Sequence, residues 1–203
     1  MYKCYLKRAL DCILSGCALI ILSPVMLILA VLVRIKLGNP IIFTQDRPGK
    51  EEKIFKLYKF RTMTNGKDRD GKLLPDENRL LKFGRFLRTT SLDELPELIN
   101  IFKGDMAIVG PRPLLVRYLP FYKKEERIRH SVRPGLTGLA QISGRNNLDW
   151  NERLGLDVQY VNNMSLLTDI KIIIITIVKV LKRNDIASGK ELVIEDLDVE
   201  RRK

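Results

Sequence analysis

The chain has 203 residues, with 36 Lys and Arg against 24 Asp and Glu, a formal net charge of +12. Its 45% hydrophobic content supplies one sizeable core or a small domain plus an anchor, and excludes a disordered basic tail as the whole chain. The surplus charge points to phosphate-bearing partners such as anionic lipid, nucleotide or nucleic acid. One histidine (His130) and three N-terminal cysteines (Cys4, Cys12, Cys17) exclude a His- or Cys-rich metal site and argue against a Ser-His-Asp triad. The cysteines fit small apolar positions in a reducing compartment, and His130, beside Arg127 and Arg129, is expected at a solvated or interfacial position.

From Cys12 to Val33 no residue is charged. These 22 residues, as a helix of about 33 Å, would match a hydrocarbon core of about 30 Å. Two features complicate a simple span. Ser23-Pro24 lies at the middle, where Pro24 cannot donate to the Ile20 carbonyl. Cations flank both ends, with Lys3, Lys7 and Arg8 before and Arg34 and Lys36 after, so both ends are assigned to the cytoplasm. A re-entrant hairpin satisfies both features; a kinked transmembrane helix is the alternative. Asp11, at the membrane edge, is expected to pair with Lys7 or Arg8 or to cap backbone donors.

Beyond Gly38-Asn39-Pro40, residues 41–45 read as a strand, 46–49 as a turn and 54–63 as a second strand. Residues 65–78 read as a polar loop, 79–87 as a short basic helix, and 95–103 as an amphipathic helix ending at Gly104. Residues 114–129 suggest a further helix, 132–147 turns and short strands, and 151–161 a helix. The isoleucine-rich stretch 170–181, with Lys171 and Lys179, is too short to span and reads as a buried element or an interfacial helix with snorkelling lysines. Residues after about Ser188 read as a charged, loosely held tail.

Three segments carry candidate chemistry. Ser91-Leu92-Asp93-Glu94 fits a capping box, with Ser91 as N-cap and Glu94 reaching back. The same two acids, with a divalent cation, could bind a pyrophosphate, and one could attack phosphorus. Gly110-Pro111-Arg112-Pro113 fixes the backbone around Arg112 and suits its guanidinium to phosphate recognition. The stretch from Arg133-Pro134-Gly135 to Gly144-Arg145-Asn146 combines glycines, which permit close backbone approach, with a further cation. GxxxxGK[ST], GxGxxG and GxSxG are absent. No run of aromatics interleaved with basic residues supports nucleic-acid binding.

In order, KRALD, Ser23-Pro24, IIFTQDRPG, IFKLYKFRTM, TSLDELPELINIFKGDMAIVGPRPLL, HSVRPGLTGLAQISGRN and LDVQYVNNMSLLTDIKI form a highly specific set. From about Lys7 to Arg183 the chain resembles the bacterial sugar transferases, the monotopic polyprenyl-phosphate phosphoglycosyl transferases, and most of all their short, single-module PglC-like type. The resemblance implies an α/β fold, mostly helical with short strands. A re-entrant membrane helix-hairpin (1–38, with Lys7, Arg8, Asp11, Ser23 and Pro24) would anchor a small cytosolic catalytic domain with amphipathic interfacial helices (39–187), followed by a charged tail (188–203). It implies transfer of a sugar 1-phosphate from a UDP-sugar to undecaprenyl (polyprenyl) phosphate, releasing UMP, as the initiating step of capsule, exopolysaccharide or glycoprotein-glycan assembly. Asp93 would be the nucleophile that forms a covalent phosphosugar intermediate, Glu94 its assistant, and Mg²⁺ would be held by both. Lys59, Arg88, Arg112 and Arg145 would hold phosphates or uridine, and Asp157 would join the network. The expected partners are the UDP-sugar, the polyprenyl phosphate and the phospholipid membrane, without nucleic acid and with a homodimer left open. The expected location is the cytoplasmic face of the bacterial inner membrane. Two alternatives are a non-enzymatic basic membrane adaptor, and a transferase that joins sugars and releases UDP. Which UDP-sugar is used is not legible; selectivity is expected in loops 65–78 and 132–147.

Overall fold

The computed structural model describes residues 2–144, 148–182 and 195–202. The chain is mostly helical with short strands. After one π-helical turn, Tyr2–Leu6, helix α1 runs from Lys7 to Lys36 with Pro24 inside it. The two arms expected on either side of Ser23-Pro24 therefore form one helix. The Ile20 carbonyl, which Pro24 cannot serve, accepts instead from the Ser23 hydroxyl at 2.8 Å. By length and composition α1 could cross a membrane.

The N-terminal part of α1 is tied down by polar contacts. Lys7 Nζ meets Asp169 Oδ2 at 2.6 Å, Arg8 donates to the Ile101 and Phe102 carbonyls at 2.7 Å each, and Asp11 Oδ1 accepts from the Ile108 amide at 3.0 Å. Further along, Ala18, Leu19 and Leu22 pack on a core of Leu57, Leu98, Ile101 and Met106. Leu29, Val33 and Leu37 join Phe60 and Leu87 in a second core. Both halves of α1 thus pack against the domain that follows. Asp169 also accepts from the Tyr2 and Tyr160 hydroxyls. We expect Asp169→Ala to cost about 3–5 kcal/mol, since it strands a buried ammonium, as read from thermal melting in detergent.

Strands β1 (Ile42–Pro48) and β2 (Ile54–Phe60) pair antiparallel, Ile42 opposite Phe60 and Pro48 opposite Ile54. The expected turn at 46–49 is therefore largely strand, and the reversal comes after it. Next come the short α2 (Asp76–Arg79), α3 (Lys82–Thr89), a 3₁₀ turn at Leu92–Glu94 and α4 (Glu97–Lys103). A second sheet pairs β3 (Ala107–Val109) in parallel with β4 (Gly135–Thr137). The helix expected over 114–129 is replaced by two 3₁₀ segments, Val116–Phe121 and Glu126–Ser131. Pro120 removes a donor and restricts its neighbour, and Tyr122 is extended.

Helices α5 (Leu139–Ser143), α6 (Trp150–Asn162) and α7 (Leu166–Lys182) complete the core. On α7, Ile172 is buried beside Val109 and Tyr160, while Leu167, Ile170, Ile174, Ile177 and Val178 form an exposed apolar stripe at helical spacing.

The loosely held tail is corrected over residues 195–202. There α8 (Leu197–Glu200) docks on the domain. Leu197 is fully buried among Leu114, Tyr118, Tyr122, Trp150 and Leu154. Arg201 grips both Glu126 oxygens at 2.6 and 2.7 Å, and Trp150 Nε1 donates to the Glu195 carbonyl at 2.8 Å. One apolar side chain at the right position outweighs the charges around it.

Candidate active site

The LDEL segment does not form the capping box. Ser91 takes a left-handed conformation, φ 56°, and its side chain caps nothing. Glu94 turns away from the backbone and accepts from Lys59 Nζ at 2.6 Å and Arg112 Nη2 at 2.9 Å. Lys59, on β2, also meets Glu97 Oε1 at 3.2 Å. Burial works against ionising Glu94, but Arg112 and Lys59 prevail and hold its carboxyl well below the usual range. Burial and then the Glu94 charge push Glu97 above the usual range. Asp93 is 8% exposed, and its carboxylate makes no side-chain hydrogen bond or ion pair among the described residues. Burial first, then the Glu94 charge, push it up to about 6.

Asp93, Glu94, Lys59, Arg88, Arg112 and Asp157 all line one cavity of about 1270 Å³. Arg88, on α3, donates through Nε to Thr62 Oγ1 at 3.0 Å. Arg145 lies outside the described residues. Asp157, expected to bind substrate, is 2% exposed and turned onto Arg129, accepting from Nε at 3.0 Å and Nη2 at 2.9 Å. Its effect on the site therefore runs through Arg129, which also donates to the Arg112 carbonyl at 2.6 Å and the Tyr122 hydroxyl at 3.2 Å. The Pro111–Pro113 frame of Arg112 is thus braced from beneath.

Sequence reasoning placed Arg61 on a face of the second strand but assigned neither it nor Glu97, Arg129 or Arg47 to the site; Arg47, Arg61 and Arg129 line the cavity, and Glu97 meets Lys59. Glu97 had a signal: it lies one helical turn after Asp93 in LDELPEL. Arg129 had none, since its partner Asp157 is 28 residues away and buried.

His130 is also corrected. It is buried, 6% exposed, against the Tyr122 ring, with Nε2 unpaired in the described structure. Burial first, then Arg129, push its imidazole down to about 4. The unfolded chain therefore binds the extra proton from about 6.5 downward and the fold does not until about 4. The His130 share of stability is full above pH 6.5 and falls by about 3 kcal/mol as the pH drops to 4, at roughly 1.4 kcal/mol per unit. The raised Asp93 and Glu97 carboxyls act in the opposite sense over the same range, so the His130 share is the difference in slope between wild type and His130→Asn in denaturant melts.

Among the described residues no group of three or more His, Cys, Asp or Glu could hold a metal by itself. Magnesium is commonly held by one or two carboxylates together with substrate phosphates. Asp93 fits that mode; Glu94, already gripped by two cations, is not a free ligand.

A buried, unpaired carboxylate beside a cation-held partner, in a cationic cavity next to an apolar helix, suits transfer chemistry on an anionic substrate near a membrane. Comparison with known proteins gives the class. Residues 2–183 match the bacterial sugar transferase family, and the chain belongs to it. It is 48% identical to the sugar transferase EpsL of Bacillus subtilis over 190 residues, 94% of each chain. It is 41% identical over 183 residues to the UDP-glucose:undecaprenyl-phosphate glucose-1-phosphate transferase of Klebsiella pneumoniae, covering 85% of this chain and 39% of that one. It is 39% identical over 198 residues to the undecaprenyl-phosphate galactose phosphotransferase of Salmonella typhimurium, covering 89% of this chain and 41% of that one. The chain thus spans nearly all of EpsL but well under half of the two longer relatives.

Proposed function

We propose that the chain moves a sugar 1-phosphate from a UDP-sugar to undecaprenyl phosphate and releases UMP, an initiating step of glycan assembly. The observation that carries this reading is Asp93: among the described residues it alone of the LDEL acids is left without an ion-pair partner, buried and lining the cavity. The names of the Klebsiella and Salmonella relatives support the same donor and acceptor classes.

In this reading the Asp93 carboxylate attacks the β-phosphorus of the donor. The bond from that phosphorus to the α-phosphate oxygen breaks, UMP departs, and the sugar phosphate stays on Asp93 as an acyl phosphate. An oxygen of the lipid phosphate then attacks the same phosphorus and expels the carboxylate, forming the lipid diphosphate link. Lys59 and Arg112, aligned by Glu94, offset the repulsion between anions where charge develops. Mg²⁺, held by Asp93 and the donor's phosphate oxygens, would supply further neutralisation.

We read α1 as re-entrant. Packing of both its halves on the same domain supports this, as do the cations at both ends and the exposed Ile20, Ile21, Leu27 and Ile28 between them. With the stripe on α7 lying in the interface, the cavity would face lipid phosphates from the cytoplasmic side.

The test is product identity from a panel of UDP-sugars with undecaprenyl phosphate and Mg²⁺. UMP formed from one donor, with the sugar phosphate recovered on the lipid, is the expected outcome. UDP in its place would mark a sugar-joining transferase. Salt-sensitive vesicle binding with no turnover of any donor would mark an adaptor.

A further inference from the structure

The cations of the cavity are unevenly committed. Lys59 and Arg112 are bound to the carboxylates of Glu94 and Glu97. Among the described residues, neither Arg61 nor Arg88 makes an ion pair with a carboxylate, although the Arg88 charge acts on Asp93. Arg61 directly follows β2, its amide bonded to the Ile41 carbonyl at 2.9 Å, so its backbone is fixed. Arg61 lines the cavity, and among the described residues its side chain makes no hydrogen bond or ion pair. Arg88 lines the same cavity, and among the described residues its side chain donates through Nε alone, to Thr62 Oγ1 at 3.0 Å.

The two residues belong to one unit. A Cβ on Gly84 would stand 1.8 Å from the Thr62 carbonyl oxygen, so α3, which carries Arg88, lies in backbone contact with the segment that carries Arg61. A guanidinium that lines a cavity without a counter-charge keeps its planar fork of donors free for an incoming anion. A phosphate matches that fork with paired, charged hydrogen bonds.

We propose that Arg61, acting with Arg88, is a phosphate-binding residue of this cavity. It receives a substrate phosphate that Lys59 and Arg112, already held by carboxylates, are less free to take. The proposal rests on the phosphosugar-transfer reading for its substrates. The phosphate belongs either to the donor diphosphate or to the lipid acceptor, and kinetics separate the two.

The experiment uses the full chain in detergent with Arg61→Met and Arg61→Lys. Calorimetry with inorganic pyrophosphate requires no turnover. Arg61→Met is expected to bind it about ten- to hundredfold more weakly, and Arg61→Lys to recover part of the loss. A matching rise in KM for the UDP-sugar alone assigns Arg61 to the donor; a rise for undecaprenyl phosphate alone assigns it to the acceptor. Pyrophosphate binding and kcat/KM for both substrates equal to wild type in Arg61→Met, or in Arg61→Gln should the Met variant not fold, would overturn the proposal. If the wild type makes UDP or no product, the phosphosugar reading fails while the pyrophosphate result still decides whether Arg61 holds an anion.

Discussion

Asp93→Asn is expected to lower UMP release at least about a thousandfold, as loss of a covalent nucleophile does, while leaving the protein folded and membrane-bound. Asparagine keeps the shape of the side chain and removes only the charge and the nucleophilic oxygen. Stability should hold or rise, because burial and the neighbouring Glu94 charge already disfavour the ionised form. Glu94→Gln contrasts with this: it would leave Lys59 and Arg112 short of their counter-charge and lower stability as well as turnover. Kinetics paired with thermal melting distinguish the two acids. Normal turnover by Asp93→Asn would remove Asp93 from the mechanism.

Gly135→Ala is expected to destabilise by about 3 kcal/mol, the upper end of typical overpacking, and to cut activity with it. The β3–β4 pair brings two glycines into backbone contact. A Cβ on Gly135 would stand 2.0 Å from the Gly110 nitrogen, and one on Gly110 would stand 2.5 Å from the Arg133 carbonyl oxygen. The Gly135 amide donates to the Pro111 carbonyl at 2.9 Å, and the Gly110 amide to the Thr137 carbonyl at 2.9 Å. These contacts set the backbone that delivers Arg112 to Glu94, so the strain passes directly into the site. Gly155→Ala is the control. A Cβ there meets nothing within 4 Å, and Gly155 lies inside α6, so stability should rise by about 0.5–1 kcal/mol. Chemical denaturation of the three proteins checks both signs.

What the sequence disclosed followed from how local each signal is. The apolar run of α1, the alternation of β2 and the adjacent acids of LDEL are short-range patterns, and each fell close to its observed element. Pro111 and Pro113 are equally local, and they singled out Arg112 by flanking it directly in the chain. Long-range features had no such pattern. Three-residue strands such as β3 carry no alternation to read, and their parallel pairing joins segments 28 residues apart, Ala107 with Gly135. The buried Arg129–Asp157 pair looks like two ordinary surface charges until α6 covers it. The capping box at Ser91 failed because Glu94 gains more from two cations than from a backbone amide. Leu197 lay among so many charges that its burial could not be foreseen, yet it closes the core behind Tyr118 and Tyr122.

The most direct test of the account is whether Asp93 carries the sugar phosphate. Wild-type protein would be mixed with its UDP-sugar and Mg²⁺ without lipid, quenched rapidly and weighed intact by mass spectrometry. The account predicts the added mass of one sugar phosphate, mapped to the peptide containing Asp93, released by undecaprenyl phosphate and matched by one equivalent of UMP. UMP formed only when lipid is present, with no adduct at any quench time, would contradict it.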